Sequence, residues 1–233
     1  LLAKNLGFNP KTFEYVGNDI PDLETEEING RRYYVTQDGR KYPSVTTALG
    51  ATAEKKHLDD WAKRIGKEEA AKVTARSGRR GSAMHDICER YVLNQIDSVA
   101  REMPINAYMF KQIRGVLDKS VDMVHCVESA LVSHKLQVAG RVDLIAEHEG
   151  TLSIIDYKTS ARNKKPEWIE DYFIQTAMYS YMFWEMTGII TKKIVVVIAV
   201  EEETEAQVFI RNPADYIVKA QSRAKLFHQG NVL

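Results

Sequence analysis

Ala139-Gly-Arg-Val-Asp143-Leu-Ile-Ala146, then after a short link Leu152-Ser-Ile-Ile-Asp156-Tyr-Lys158, is the stretch that decides how this chain is read. Both runs have strand length and strand composition, and Glu147-His-Glu-Gly150 between them is short enough for an antiparallel hairpin. Alternation puts Asp156 and Lys158 on one face with Leu152 and Ile154. In any register the link permits, Asp143 lies opposite Asp156 or one diagonal away, with roughly 5 to 8 Å between side-chain stems. Two carboxylates and an amine therefore converge on one spot.

That convergence is costly unless something joins it. Both aspartates are anionic at neutral pH, and like charges about 4 Å apart repel by roughly 4 kcal/mol at an effective dielectric of about 20. A hard divalent cation held by carboxylate oxygens removes the penalty, and such donors select Mg²⁺ or Mn²⁺, as one or two ions. Lys158 beside it would orient or deprotonate an attacking water, the chemistry of metal-assisted phosphodiester hydrolysis.

The rest of the chain supplies the setting. Its 233 residues, 44% hydrophobic and 27% charged, suit one elaborated domain with a sizeable core. The expected layout is a lead-in and hairpin over 1–42, a helical part over 43–125 and a sheet core over 126–233. With 32 basic against 32 acidic residues there is no global pull toward nucleic acid, so any such contact rests on local basic clusters. No run approaches the eighteen or so apolar residues of a membrane span. Cys88 and Cys126, the two cysteines, sit in apolar surroundings and read as reduced core residues of an intracellular protein. The chain opens Leu1-Leu2-Ala3 without an initiator methionine, which suggests a segment upstream, and it lacks the Arg-rich, acid-poor pattern of a transit peptide. A cytoplasmic protein of bacterial or phage origin is the expectation.

Residues 1–30 show little periodicity and read as a loose lead-in. Arg31–Thr36 and Lys41-Tyr42 flank Gln37-Asp-Gly-Arg40 as a hairpin. Pro43-Ser-Val-Thr-Thr47 opens a short helix, with Ser44 or Thr46 as its N-cap; the alternative role for Ser44, Thr46 and Thr47 is to hold a substrate phosphate. A helix is expected from His57 to about Thr74, with Leu58, Trp61, Ala62, Ile65 and Val73 inward and Lys55, Lys56, Lys63 and Arg64 on a solvated face. The next, Ser77 to Leu93, carries apolar residues at 83, 84, 87, 88, 91 and 92, one stripe at helical spacing. Gly81, His85 and Glu89 form a row along its edge. There Gly81 would permit close backbone approach, and Arg79 and Arg80 would grip a phosphate.

Further on, Pro104 to about Val124 reads as a helix with Ile105, Met109, Ile113 and Val121 inward, and Cys126–Ser133 as a strand bearing Glu128. A helix from Pro166 to about Met186 places Gln175 and Tyr179 one turn apart. Lys192–Val200 is a strand buried on both faces, Ala206–Ile210 another, and Pro213 begins a closing helix.

Taken in order, Gly81-x-x-x-His85-x-x-x-Glu89, Gly140-x-x-Asp143, Asp156-x-Lys158 and Gln175-x-x-x-Tyr179 resemble the motifs of the RecB-type branch of the PD-(D/E)XK nucleases, over about residues 43–186. The resemblance implies an α/β fold, a mixed central sheet flanked by helices. It implies that His85, Asp143, Asp156 and the Tyr157 carbonyl hold metal, that Lys158 serves the water, and that Gln175 and Tyr179 contact substrate and order the site. Glu128 sits where such enzymes often carry a nearby acid. Within the branch, Pro43-Ser-Val-Thr-Thr47, Val127-Glu-Ser129 and Ile155-Asp-Tyr-Lys-Thr-Ser160 look like the mitochondrial genome maintenance exonuclease family and its phage or bacterial relatives. That likeness implies a DNA exonuclease preferring single-stranded ends, serving replication, repair or recombination beside proteins of those processes. A duplex-degrading recombination exonuclease, a flap endonuclease and a non-catalytic DNA-binding protein are the rival readings. Polarity, processivity and oligomeric state depend on the shape of the channel over the site, which motifs do not encode.

Overall fold

The structure is a computed structural model describing residues 10–17, 20–54, 56–95 and 102–230. Its centre is a six-stranded sheet of order β1-β5-β6-β7-β8-β9. The strands are β1 (Glu14–Tyr15), β5 (Val121–Ser133), β6 (Val138–His148), β7 (Thr151–Ser160), β8 (Lys193–Val200) and β9 (Gln207–Arg211). The β1–β5 and β7–β8 pairs are parallel and the others antiparallel, so the expected mixed sheet is present. On one face lie α1 (Val45–Ala51), α5 (Glu170–Thr187) and α6 (Ala214–His228); on the other lie α3 (Lys67–Val92) and α4 (Pro104–Ser120). The β8 run Ile194–Val200 is buried on both faces, odd residues against α3 and α4 and even ones against α5. Such a strand reads as an unbroken apolar run because neither face meets water.

The β6–β7 hairpin is tighter than its sequence suggested. His148 pairs with Thr151, leaving Glu149-Gly150 as a two-residue turn with φ of 50° and 68°. Both angles are positive, as a turn matched to the strands' twist requires.

Several boundaries differ from the sequence reading, each for a local reason. The break expected near Thr74–Ser77 is absent: α3 runs unbroken for 26 residues, and the interruption falls at Gly66, with φ of 91°, after α2 (Lys56–Ile65). No proline interrupts residues 67–92, and a helix tolerates the isolated Gly78 and Gly81. Leu58 and Val73, expected inward, are exposed. Of the basic face, Lys55 and the side chain of Lys56 lie outside the described residues, and Lys63 and Arg64 are exposed.

Helix α4 stops at Ser120, so Val121 belongs to β5 and Ile105 is exposed. Pro166–Trp168 is a 3₁₀ turn ahead of α5 rather than its first turn. The lead-in contains β2 (Glu24–Ile28), which joins β3 (Arg31–Val35) and β4 (Lys41–Pro43) in a small second sheet. All five β2 residues are exposed, so no apolar alternation marks them; the Asn29-Gly30 turn, φ 53° and 72°, was the available signal. Lead-in residues 1–9, 18 and 19 lie outside the described set. Among the described residues, no helix is long and apolar enough to cross a membrane. Cys88 and Cys126 are buried, and no disulfide joins the two.

One buried amide locks α4 to the sheet. Gln112 donates from Nε2 to the Val200 carbonyl and accepts from the Val200 N–H, both at 2.9 Å, and donates also to the Glu203 carbonyl at 2.7 Å. Replacing one partner of buried hydrogen bonds orphans the other at about 1–3 kcal/mol per group. Gln112→Leu should therefore lower the unfolding free energy by about 2–4 kcal/mol, measured by urea denaturation.

Candidate active site

The site lies where two strands part. The β6–β7 ladder ends at Leu144–Ile155, yet β6 stays paired with β5 down to Val138, and β7 stays paired with β8 through Ser160. The register, continued one step past its last pair, sets Asp143 opposite Asp156. In the gap side chains replace the backbone ladder: Asp143 Oδ2 accepts the Tyr157 N–H at 2.7 Å. A buried amide must find a partner, and here a carboxylate provides it.

Groups reach this fork from both faces. From α3 comes His85, its Nδ1 3.2 Å from Asp143 Oδ1 and 3.8 Å from Glu128 Oε1. Ligand atoms of His85, Glu128 and Asp143 all lie within 4.8 Å of one another. From the α5 side, Gln175 Nε2 donates to Asp156 Oδ1 at 3.3 Å and lies 3.4 Å from the Tyr179 hydroxyl. Lys158 Nζ is ion-paired with Asp156 Oδ2 and lies 5.2 Å from the centre of the Tyr172 ring. Tyr179 rests on Gly140, where an added Cβ would come within 2.8 Å of its ring. The glycine of Gly140-x-x-Asp143 is thus a seat for the tyrosine of Gln175-x-x-x-Tyr179.

The electrostatics follow from enclosing these charges together. Burial disfavours the His85 cation, but the Asp143 carboxylate, with help from Glu128, outweighs it and pushes the imidazole up to about 10. Burial would raise Asp143; His85, Lys158 and the Tyr157 N–H prevail and lower it. Asp156 goes the other way, up to about 6, driven by burial and by Asp143 against the opposing pull of Lys158. Burial disfavours a charged Lys158, but its two aspartate neighbours raise it, so it remains an ammonium. Glu128 is raised by burial first, then by Asp143, with Glu89 contributing from the next turn of α3.

The remaining candidates divide. Ser44, buried, caps α1 by accepting the Thr47 N–H at 3.0 Å, and it bridges to Ala139 at the start of β6. Thr46 is exposed and Thr47 half-buried. Arg79 is exposed, whereas Arg80 is ion-paired with Glu201 just past the end of β8 and ties α3 to the sheet. The expected two-arginine grip is therefore not formed, because one guanidinium is engaged internally. Among the described residues, nothing outside its own helix backbone comes within 4 Å of a Cβ built on Gly81, so no other segment makes the close approach expected there.

Do these residues suit a divalent ion? The donors are one imidazole nitrogen and carboxylate oxygens, a set Mn²⁺ and Mg²⁺ accept. Asp143 and Asp156 are both buried carboxylates of one gap, with Asp156 Oδ2 held by the Lys158 ammonium, and a cation would relieve the repulsion between them. The trio drawn together is His85, Glu128 and Asp143; the expected set had Asp156 and the Tyr157 carbonyl in place of Glu128. No periodicity marks Glu128, whose carboxylate is brought in by a backbone conformation.

Two outcomes test this geometry. Gly140→Ala must displace Tyr179, and overpacking of this kind costs about 1–3 kcal/mol, readable as a lower urea midpoint. Mn²⁺ added to chelator-treated protein should raise its melting temperature, since an ion at a hundred times its dissociation constant adds about 2.7 kcal/mol. Asp143→Asn should abolish that rise.

Comparison with known proteins agrees with the geometry. The profile described as "PD-(D/E)XK nuclease superfamily" matches residues 47–226. The chain is 29% identical over 130 residues to mitochondrial genome maintenance exonuclease 1 of Homo sapiens, covering 52% of this chain and 38% of that protein. It is 31% identical over 148 residues to the Xenopus tropicalis protein of the same name, covering 59% and 42%. The chain thus spans about two-fifths of the length of these curated relatives. A solved structure, a putative exonuclease from Eubacterium rectale, aligns with a TM-score of 0.43 at 14% identity, covering 67% of this chain and 69% of that one. With the family profile spanning most of the chain and its acidic fork, histidine and lysine in one place, the protein belongs to the PD-(D/E)XK nuclease superfamily.

Proposed function

We propose that this chain is a metal-dependent DNA exonuclease that hydrolyses phosphodiester bonds from single-stranded ends, using Mg²⁺ or Mn²⁺. Nucleases of this superfamily generally use divalent metals, and His85, Glu128 and Asp143 form a candidate seat for one. The observation that carries the reading is the fork: His85 lies 3.2 Å from Asp143, and the Asp156–Lys158 pair lies across the same gap. The exonuclease relatives support the choice of an end-dependent activity.

His85, Asp143 and Glu128, with Asp156, would hold the cation, which when bound neutralises phosphate charge and makes water a better nucleophile at neutral pH. The protein's own groups do the rest. Lys158 is an ammonium held by Asp156, so its part is to orient the attacking water and offset charge on the phosphate rather than to accept a proton. Water adds in line to phosphorus as the bond to the departing sugar oxygen breaks. Gln175 fixes Asp156 from behind, and Tyr179 fixes Gln175. Exposed Arg79 and Thr46 are the groups assigned to flanking phosphates; Arg80, committed to Glu201, is not. Replication, repair or recombination is the setting a single-strand exonuclease fits.

Digestion of end-blocked against open single strands in Mg²⁺ tests the proposal: open strands are degraded and blocked ones persist. Cutting of the blocked strands would make it an endonuclease. Lys158→Ala should lower turnover by about 100- to 1,000-fold while a gel shift still shows DNA retained. Unchanged turnover would remove the lysine from the mechanism.

A further inference from the structure

Glu128 stands in the middle of β5 with φ of 45°, a left-handed conformation that glutamate rarely adopts. Such a residue costs about 1–3 kcal/mol and persists only where its surroundings enforce it. The register runs Val127↔Leu144, then Ser129↔Val142, with Glu128 and Asp143 facing each other between. Across this pair both strands change phase. Before it, Cys126 and Ile145 pack on the α5 side, and Val127 and Leu144 on the α3 side. After it, Leu131 and Val142 are on the α5 side, and Ala130 and Ala139 meet the small N-terminal sheet. Strict alternation would place Leu131 opposite to Cys126 and Val142 opposite to Ile145; it does neither. The Glu128 backbone is therefore where the sheet turns, and the same turn delivers its carboxylate to His85 and Asp143.

One side chain grips that turn. Arg141, opposite Ala130 on β6, donates from Nη1 to the Glu128 carbonyl and from Nη2 to Asp22 Oδ1 at 2.6 Å. Its planar fork presents two donors of fixed geometry, one to each acceptor. Asp22, with its side chain 73% exposed, is anchored in turn by accepting the Leu23 N–H at 2.9 Å. The chain of contacts runs from Asp22 through Arg141 to the Glu128 carbonyl, and from the Glu128 carboxylate into the cation seat.

We infer that Arg141 is a positioning residue: by clamping the Glu128 carbonyl it maintains the left-handed turn that makes Glu128 the third member of the cation seat. The inference rests on the metal-dependent reading above and adds a residue that touches neither cation nor substrate. It separates Arg141 from exposed Arg79, because both terminal nitrogens of Arg141 are engaged within the protein, by the Glu128 carbonyl and by Asp22.

Mn²⁺ binding, followed by calorimetry on chelator-treated protein, tests this in the wild type, Arg141→Gln, Glu128→Gln and the double variant. Loss of a group that orients a metal ligand typically weakens binding about 10- to 100-fold, and that is the loss expected for Arg141→Gln. If Arg141 acts through Glu128, the double variant binds no more weakly than Glu128→Gln alone. Asp22→Ala, at an exposed position that leaves the core intact, should weaken binding by a few fold and guards against misfolding of the arginine variant. Wild-type affinity in Arg141→Gln, or losses that multiply in the double variant, would overturn the inference while leaving the cation seat standing. A wild type that binds no Mn²⁺ would overturn the metal reading and this inference together.

Discussion

Everything at this site depends on the early end of one ladder. Antiparallel strands satisfy each other's backbone groups only while they stay about 5 Å apart, and β6 and β7 do so from the turn to Leu144–Ile155. Past that pair each strand keeps its outer neighbour, β5 or β8, and releases the inner one. The freed groups need partners, and the Asp143 carboxylate takes one of them from Tyr157. A gap between two strands that are each still anchored is a rigid opening reached from both faces of the sheet. The histidine of α3 and the glutamine and tyrosine of α5 meet there, although they belong to opposite layers.

The opening collects charge, and the charge is only partly compensated. Asp143 is balanced by His85 and a backbone donor, and Asp156 by Lys158 and Gln175, yet Asp156 stays raised because burial and Asp143 oppose it. Enclosed like charges are a standing cost that a cation relieves. The left-handed Glu128 adds a second cost, of backbone origin, and puts a third carboxylate in reach. Both costs are concentrated at the fork, while the two faces of the sheet around it are covered by apolar side chains.

Much of this could be read in the residues. Period-two alternation placed Asp156 and Lys158 on one face with Ile154, and a helical stripe put His85 at the rim of a buried face, because both rest on local geometry. Ser44 as a helix cap was legible for the same reason, since a cap bonds within its own turn. What failed was nonlocal. Arg80 looked like a phosphate grip until Glu201, 121 residues away, took its guanidinium. Leu58 and Val73 looked buried, but an amphipathic stripe is covered only where the fold brings something against it. Strand β2 carried its cue in Asn29-Gly30, and its acidic, fully exposed residues concealed it.

The sequence by itself determined the strand pair, the shared face of Asp156 and Lys158 and the histidine helix, since each is written in spacing along one element or across one short link; the superfamily came from the resemblance of four motifs, which the family profile bears out. Only the tertiary structure decided that β6 and β7 part, that Glu128 joins His85 and Asp143, and that Gly140 is a seat for Tyr179. Spacing fixes which face of its own strand or helix a side chain takes. How far two strands separate, and which backbone is driven to a positive φ, is set by packing from both layers at once, and no short stretch of residues contains that information.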